Sequence, residues 1–244
     1  MRDYRQETEK RIGFIRESLA SAGARGIVYG NSGGKDSALV GILCKMACED
    51  TLGIILPCGS KRNYEEDARD AMEVAARFGI AVRTLDLTKV KEALVRAMDG
   101  VAVLSASASA NIGPRLRMTA LYAVAASENR LVAGTGNRSE GYMGYFTKWG
   151  DGAYDFNPIA DLTVTEVYEF LRYLGAPESV IQKAPSAGLF DGQTDEGEMG
   201  IAYRQIDAYL LTGEADRGAL DRMERYHAAS QHKRQPPRVY GGHV

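Results

Sequence analysis

A parallel α/β sheet with helices on both faces, followed by further C-terminal helices, is the fold class this sequence predicts. Three observations carry it. Short apolar runs alternate with stretches of helical periodicity through the first half of the chain, the order expected of strands and crossover helices. Each run is bounded by Gly, Pro or polar residues, as buried strands are. The stretches between runs are long enough for the crossovers that parallel strands need. With 244 residues, 45% hydrophobic and 25% charged, the chain can bury one substantial core, so a single domain over residues 1–244 is expected.

A charged helix opens the chain, with Ile12, Ile15 and Leu19 at helical spacing. Strands are expected at residues 26–30 (GIVYG), 52–57 (LGIILP), 81–87 (AVRTLDL) and 131–134 (LVAG), and helices at 36–49, 64–78, 88–98 and 114–127 between them. Cys44 falls with Leu39, Val40 and Leu43 in the apolar stretch of the first crossover helix and reads as core. Residues 135–161, rich in Gly, Asn, Asp and aromatics without periodicity, are long for an idle connection and point to function. Thr163 and Glu166 then form a capping box for a helix running to Leu174, stopped by Gly175 and Pro177. A second loop follows at 183–200, then helical stretches at 201–211 and 215–229 and a basic tail at 232–238.

Composition removes several function classes. A net charge of −2 offers no general attraction to nucleic acid or to an anionic membrane. Neither a secretory leader nor a run of about 18 apolar residues occurs. A soluble, cytoplasmic protein is expected. Three cysteines without a Cys-x-x-Cys pair, and three histidines confined to the C-terminal end, argue against a disulfide framework and against a zinc site.

The chemistry starts directly after the first expected strand, at Gly30-Asn31-Ser32-Gly33-Gly34-Lys35-Asp36-Ser37, which leads into a helix. Glycines let successive N–H groups point into one concavity, and the helix N-terminus adds partial positive charge, so the segment makes a cradle for phosphate oxygens. Ser32 and Ser37 add donors, and Asn31 is expected to brace the turn. Neither a Walker A loop nor a dinucleotide Gly-x-Gly-x-x-Gly fits the spacing. Asp36 is the distinguishing residue: a carboxylate inside a phosphate cradle is repulsive unless a cation stands between them, and magnesium is the natural candidate.

This octapeptide resembles the pyrophosphatase loop of the ATP pyrophosphatases, which split ATP between the α and β phosphates and adenylate a substrate. The resemblance implies a Rossmann-like fold and ATP as co-substrate, with Gly30 to Ser37 on its phosphates. The group is broad, so other residues must choose the substrate. Asn111-Ile112-Gly113-Pro114-Arg115, Gly134-Thr135-Gly136-Asn137-Arg138-Ser139-Glu140 and Gly144-Tyr145-Phe146-Thr147-Lys148-Trp149-Gly150-Asp151-Gly152-Ala153-Tyr154-Asp155 resemble NAD synthetases in order and spacing. The last is the most specific. By that resemblance Thr135 and Ser186 contact ATP, Asp36 and Glu140 hold Mg2+, and Arg115, Lys148, Asp155, His232 and Lys233 hold deamido-NAD. Asp36, Glu140 and Lys148 are the expected catalytic residues. The family is homodimeric, and its loop at 183–200 is expected to be disordered without ligand and to close over ATP.

One departure concerns Val164, where many relatives place a Lys on the ATP phosphates, which leaves Lys35 or Arg62 to supply that charge. The expected reaction is amidation of deamido-NAD to NAD through an adenylated nicotinate carboxylate, with release of AMP and pyrophosphate. Free ammonia is the expected donor, because no His precedes His227 to serve a glutaminase Cys. Two alternatives stand beside it: another ATP pyrophosphatase, such as a tRNA-thiolating enzyme, and a nucleotide sensor without turnover.

Overall fold

A computed structural model describes residues 2–59, 64–183 and 194–241. Helix α1 (Tyr4–Ala22) opens the chain, capped by the Asp3 side chain on the N–H groups of Arg5 and Gln6. Then follow β1 (Gly26–Gly30), α2 (Lys35–Ala47), β2 (Thr51–Ile55), α3 (Glu66–Phe78), β3 (Ala81–Thr84), α4 (Thr88–Ala97), α5 (Ala106–Ala110), α6 (Ile112–Glu128) and β4 (Arg130–Val132). The C-terminal part adds α7 (Arg138–Met143), α8 (Val164–Leu174), α9 (Glu178–Ile181), α10 (Asp195–Met199), α11 (Tyr203–Thr212), α12 (Arg217–Ala229) and α13 (Gln231–Arg234). No described helix is long and apolar enough to cross a membrane.

All pairings in the sheet are parallel and its order is β3-β2-β1-β4. Because side chains alternate across a strand, β1 feeds two cores. Ile27 and Tyr29 pack with Leu39, Ile42 and Leu43 of α2 and with Phe170 of α8, whereas Val28 packs with Leu52 and Ile54 of β2 and Met118 and Leu121 of α6. Helices therefore cover both faces, as the sequence predicts. Cys44 is fully buried in the first core. A third core, built from Met143, Val164, Met199, Ile206 and Met223, binds the C-terminal helices together.

The strand order fixes where a ligand can enter. The chain runs from β1 outward through β2 to β3, then returns to the other side of β1 for β4. Connections leaving the carboxyl ends of β1 and β4 thus diverge to opposite sides and leave a crevice between them.

Element bounds differ from the sequence expectation where backbone partners run out. β2 stops at Ile55 and β3 at Thr84, although Leu85 and Leu87 still donate to the carbonyls of Ile55 and Pro57 at 2.9 Å; Pro57 has no N–H to return the bond. Residues 135–161 are not all loop, since α7 forms within them behind a capping box of Asn137 and Glu140. Residues 183–200 likewise include α10, whose N-cap Thr194 accepts from the Gly197 N–H.

Candidate functional site

The loop from Gly30 to Ser37 joins β1 to α2 at the crevice. Gly33 takes φ +70°, and a Cβ there would lie 2.1 Å from the Asp67 carbonyl oxygen, so no side chain is accommodated. Asn31 braces the turn as expected: it is 2% exposed, its backbone N–H donates to Ile54 at 2.8 Å and its side chain donates to the Ala71 carbonyl at 3.2 Å. Ser32 Oγ and Ser37 Oγ are 3.0 Å apart, and the Gly34 N–H donates to Ser32 Oγ at 3.3 Å. Gly34 caps α2 without a side-chain partner, which leaves the first-turn N–H groups to a ligand.

Asp36 and Glu140 meet across this crevice through a shared cation. Lys35 Nζ lies 2.7 Å from Asp36 Oδ2 and 3.7 Å from Glu140 Oε1. The other oxygen of each carboxylate answers to Asn137, whose side-chain amide donates to Asp36 Oδ1 at 3.0 Å and whose backbone N–H donates to Glu140 Oε2 at 3.3 Å. Burial and the Asp36 charge push the Glu140 carboxyl up to about 8, against the pull of Lys35. Burial works against the Lys35 ammonium, but Asp36 and Glu140 outweigh it and hold Lys35 protonated, well above its ordinary range.

These residues fit a divalent cation. Two carboxylates from separate elements already converge on one positive charge, and hard oxygen donors are what Mg2+ takes. The surrounding wall carries the carboxylates Asp36, Asp67, Glu140, Asp151, Asp195 and Glu198 against the cations Lys35, Arg117, Lys183 and Lys233. A polyphosphate entering such an acidic wall needs cations brought with it.

The cavity encloses about 740 Å³ and runs from the glycine loop past Thr135 and Glu140 to Phe146, Thr147 and Lys233, with an apolar side of Ile54, Leu56, Met118 and Leu121. That is the size of a pocket for a sizeable small molecule. Lys233 also donates to the carbonyls of Gly144 and Phe146 at 2.8 and 2.9 Å, holding the tail against the segment after α7.

The remaining expected dinucleotide residues lie outside this cavity wall. Arg115, exposed on α6, donates through Nε to the Lys148 carbonyl at 3.3 Å, and Lys148 Nζ donates to the His232 carbonyl at 2.7 Å, so these three form one chain on an open surface. Asp155 sits apart from them: it accepts from the Val132 N–H at 2.7 Å and from the Tyr122 hydroxyl at 3.1 Å. Tyr122 is two turns along α6 from Arg115, a rise of roughly 10 Å. Val164 is 4% exposed in the third core and does not face the cavity. Ser186 and Arg62 lie outside the described residues.

Several working residues escape sequence reasoning. Asp207, 2% exposed on α11, accepts from Ser139 Oγ at 2.5 Å and from the Thr165 N–H and hydroxyl at 2.7 and 2.6 Å, tying the helix that carries Glu140 to the start of α8. Arg234 donates to the carbonyls of Gly141 and Tyr142 at 3.2 and 3.3 Å, clamping the C-terminal end of α7. Asp195, 3% exposed, accepts from the Tyr203 hydroxyl at 3.1 Å in the cavity wall. Lys183 reaches Asp67 and Asp70 at 2.8 and 2.7 Å and the Gly33 carbonyl at 3.3 Å. Lys183, Asp195 and Arg234 fall in segments that resemble the family's mobile loop and tail, but nothing in the sequence gives any of the four a partner, and a lone acid or base is ordinarily solvated.

Comparison with known proteins gives a consistent picture. The NAD synthase family model matches residues 7–237. An NH3-dependent NAD(+) synthetase from Carboxydothermus hydrogenoformans is 50% identical over 240 residues, covering 97% of this chain and 98% of its own. Among solved structures, an NMN synthetase from Francisella tularensis superposes with a TM-score of 0.93 at 36% identity, covering 99% of this chain and 100% of that one. An NH3-dependent NAD synthetase from Campylobacter jejuni gives 0.80 at 30% identity, covering 98% and 100%.

Proposed function

Since the chain belongs to the NAD synthase family of ligases, we propose that it makes NAD from deamido-NAD, ATP and ammonia through an adenylated carboxylate. The observation that carries this reading is that one cavity joins the glycine loop and the Asp36–Glu140 pair to the segment around Phe146, Thr147 and Lys233. A phosphate cradle and an acceptor site opening into one space let two substrates meet.

In the proposed first step a nicotinate carboxylate oxygen attacks the α-phosphorus of ATP, and the bond from that phosphorus to the bridging oxygen breaks to release pyrophosphate. The N–H groups of the loop and of α2's first turn take up charge on the phosphates. Asp36 and Glu140 would hold Mg2+, which when bound neutralises the polyphosphate. Ammonia nitrogen then attacks the acyl carbon, AMP leaves with the former carboxylate oxygen, and a proton is lost to give the amide. Lys148, with Arg115, His232 and Lys233, holds the dinucleotide, and Asp155 does so from its place beside Tyr122 of α6. A homodimer, which the family resemblance implies, belongs to the same reading.

Deamido-NAD carrying ¹⁸O in its nicotinate carboxylate tests adenylation directly. One label should appear in AMP for each NAD formed; AMP free of label would rule the adenylate out. A second reading, in which nicotinate mononucleotide is the acceptor, rests on the TM-score of 0.93 to the Francisella tularensis NMN synthetase.

A further inference from the structure

Lys183 stands at the start of the second loop, yet its side chain is only 9% exposed. Its ammonium meets three acceptors: Asp67 Oδ1 at 2.8 Å, Asp70 Oδ2 at 2.7 Å and the Gly33 carbonyl at 3.3 Å. An ammonium has three protons. All three are committed, so Lys183 has none left for a phosphate although it lines the cavity. Whatever it contributes to the nucleotide passes through the glycine loop.

The loop is built to receive that influence. Gly33 is pressed against the first turn of α3, where a Cβ would meet the Asp67 carbonyl. Without an intervening cation, the Gly33 carbonyl would face two carboxylates, one of them Asp70 at 1% exposure, and like partial charges would drive it away. In a planar trans peptide the C=O and the following N–H point in opposite directions. Holding Gly33 O toward Lys183 therefore turns the Gly34 N–H to the opposite side, where Ser32 Oγ lies at 3.3 Å in the cavity wall. The backbone of Lys183 is itself fixed, because the Tyr168 hydroxyl donates to its carbonyl at 2.7 Å.

We propose that Lys183 is a positioning residue of the phosphate cradle: it holds the Gly33 carbonyl from behind and so sets the Gly34 N–H, with the Ser32 hydroxyl it donates to, on the cavity side that faces the bound polyphosphate. The inference rests on the reading that the loop cradles ATP. It assigns to one lysine, neutralised by Asp67 and Asp70, a role in nucleotide affinity and none in the acceptor site.

Calorimetric titration of ATP with magnesium, without the second substrate, tests this on the whole chain, alongside thermal melting. Lys183→Met removes the cation that stands between Asp67 and Asp70 and should lower both stability and ATP affinity. Pairing Lys183→Met with Asp70→Asn removes one of those charges and should recover much of the melting temperature while ATP affinity stays down about tenfold, the worth of one misaligned hydrogen bond to a charged group. Lys183→Arg keeps charge and donors and should bind ATP nearly as the wild type does. In turnover the double variant should show a raised KM for ATP with the KM for deamido-NAD unchanged. If the wild type binds ATP and the double variant binds it equally well, the inference is overturned alone. A wild type that binds no ATP overturns the proposed function, and this inference with it.

Discussion

The Asn137 side-chain amide donates to Asp36 Oδ1 at 3.0 Å while its carbonyl oxygen accepts from the Glu140 N–H at 3.0 Å. One residue thus caps α7 and joins it to the glycine loop. Asn137→Ala should cost about 1 kcal/mol of stability through the lost cap. It should also lower kcat and raise the magnesium needed for half-maximal rate, because Asp36 loses the donor that orients it. Asn137→Asp keeps the cap but places a third carboxylate beside the pair. Melting curves and magnesium titrations of both variants separate the two roles; unchanged magnesium dependence in both would show that Asn137 is only a cap.

Glu140→Gln should reduce turnover about 100-fold or more without lowering the melting temperature. Glu140 is held in unfavourable company, its carboxyl pushed up to about 8 by burial and by Asp36, so a neutral amide of the same shape relieves strain that the ionised form carries. A melting temperature well below wild type would contradict the like-charge account of this pair.

Asp207→Ala leaves the Ser139 hydroxyl and the Thr165 N–H and hydroxyl without their acceptor in a buried site. The expected loss is about 3 kcal/mol. Activity measured far below the melting transition should fall as well, because Ser139 precedes Glu140 on α7. Full activity at low temperature would confine Asp207 to stability.

Asp161 fastens α1 to the segment before α8. Arg11 Nη1 and Nη2 reach its two oxygens at 2.7 and 3.0 Å, and Arg2 Nη1 adds a contact at 3.0 Å. Burial raises this carboxyl, but the Arg11 hydrogen bonds and charge, with Arg2, outweigh it and hold Asp161 below its ordinary value. A folded value below the unfolded one means stabilisation present above about pH 4 and lost as pH falls through the folded value. Asp161→Asn should therefore be less stable than wild type at pH 7, and urea midpoints of the two should converge on acidification. A gap that persists at low pH would contradict an ionic origin.

Arg115→Ala should raise the KM for the dinucleotide and leave that for ATP unchanged, since Arg115 touches Lys148 and does not line the cavity at the glycine loop. Equal effects on both substrates would place Arg115 elsewhere in the mechanism.

Much of this architecture was legible in the residue order. The alternation of apolar runs and helical periodicity marked the strands, and the turn chemistry of Gly30 to Ser37 marked the loop between β1 and α2, because both signals are local. The capping box at Thr163 and Glu166 formed as read. What stayed hidden depends on contacts between distant segments. Lys183 and Asp70 are 113 residues apart, and Ser139 and Asp207 are 68 apart; nothing local marks either as a pair. The six-residue α7 is too short to show a helical period, so only its capping residues could have announced it. Lys35 reads locally as a loop residue on ATP phosphates; its place between Asp36 and Glu140 depends on the connection after β4 bringing Glu140 alongside.

The central claim is tested most directly by NAD formation from ATP, magnesium, deamido-NAD and ammonium. Parallel reactions replace ammonium with glutamine, and deamido-NAD with nicotinate mononucleotide. The account predicts product with ammonium alone and amidation of deamido-NAD in preference to the mononucleotide. Amidation confined to nicotinate mononucleotide, or no AMP from any combination while ATP still binds, would contradict it.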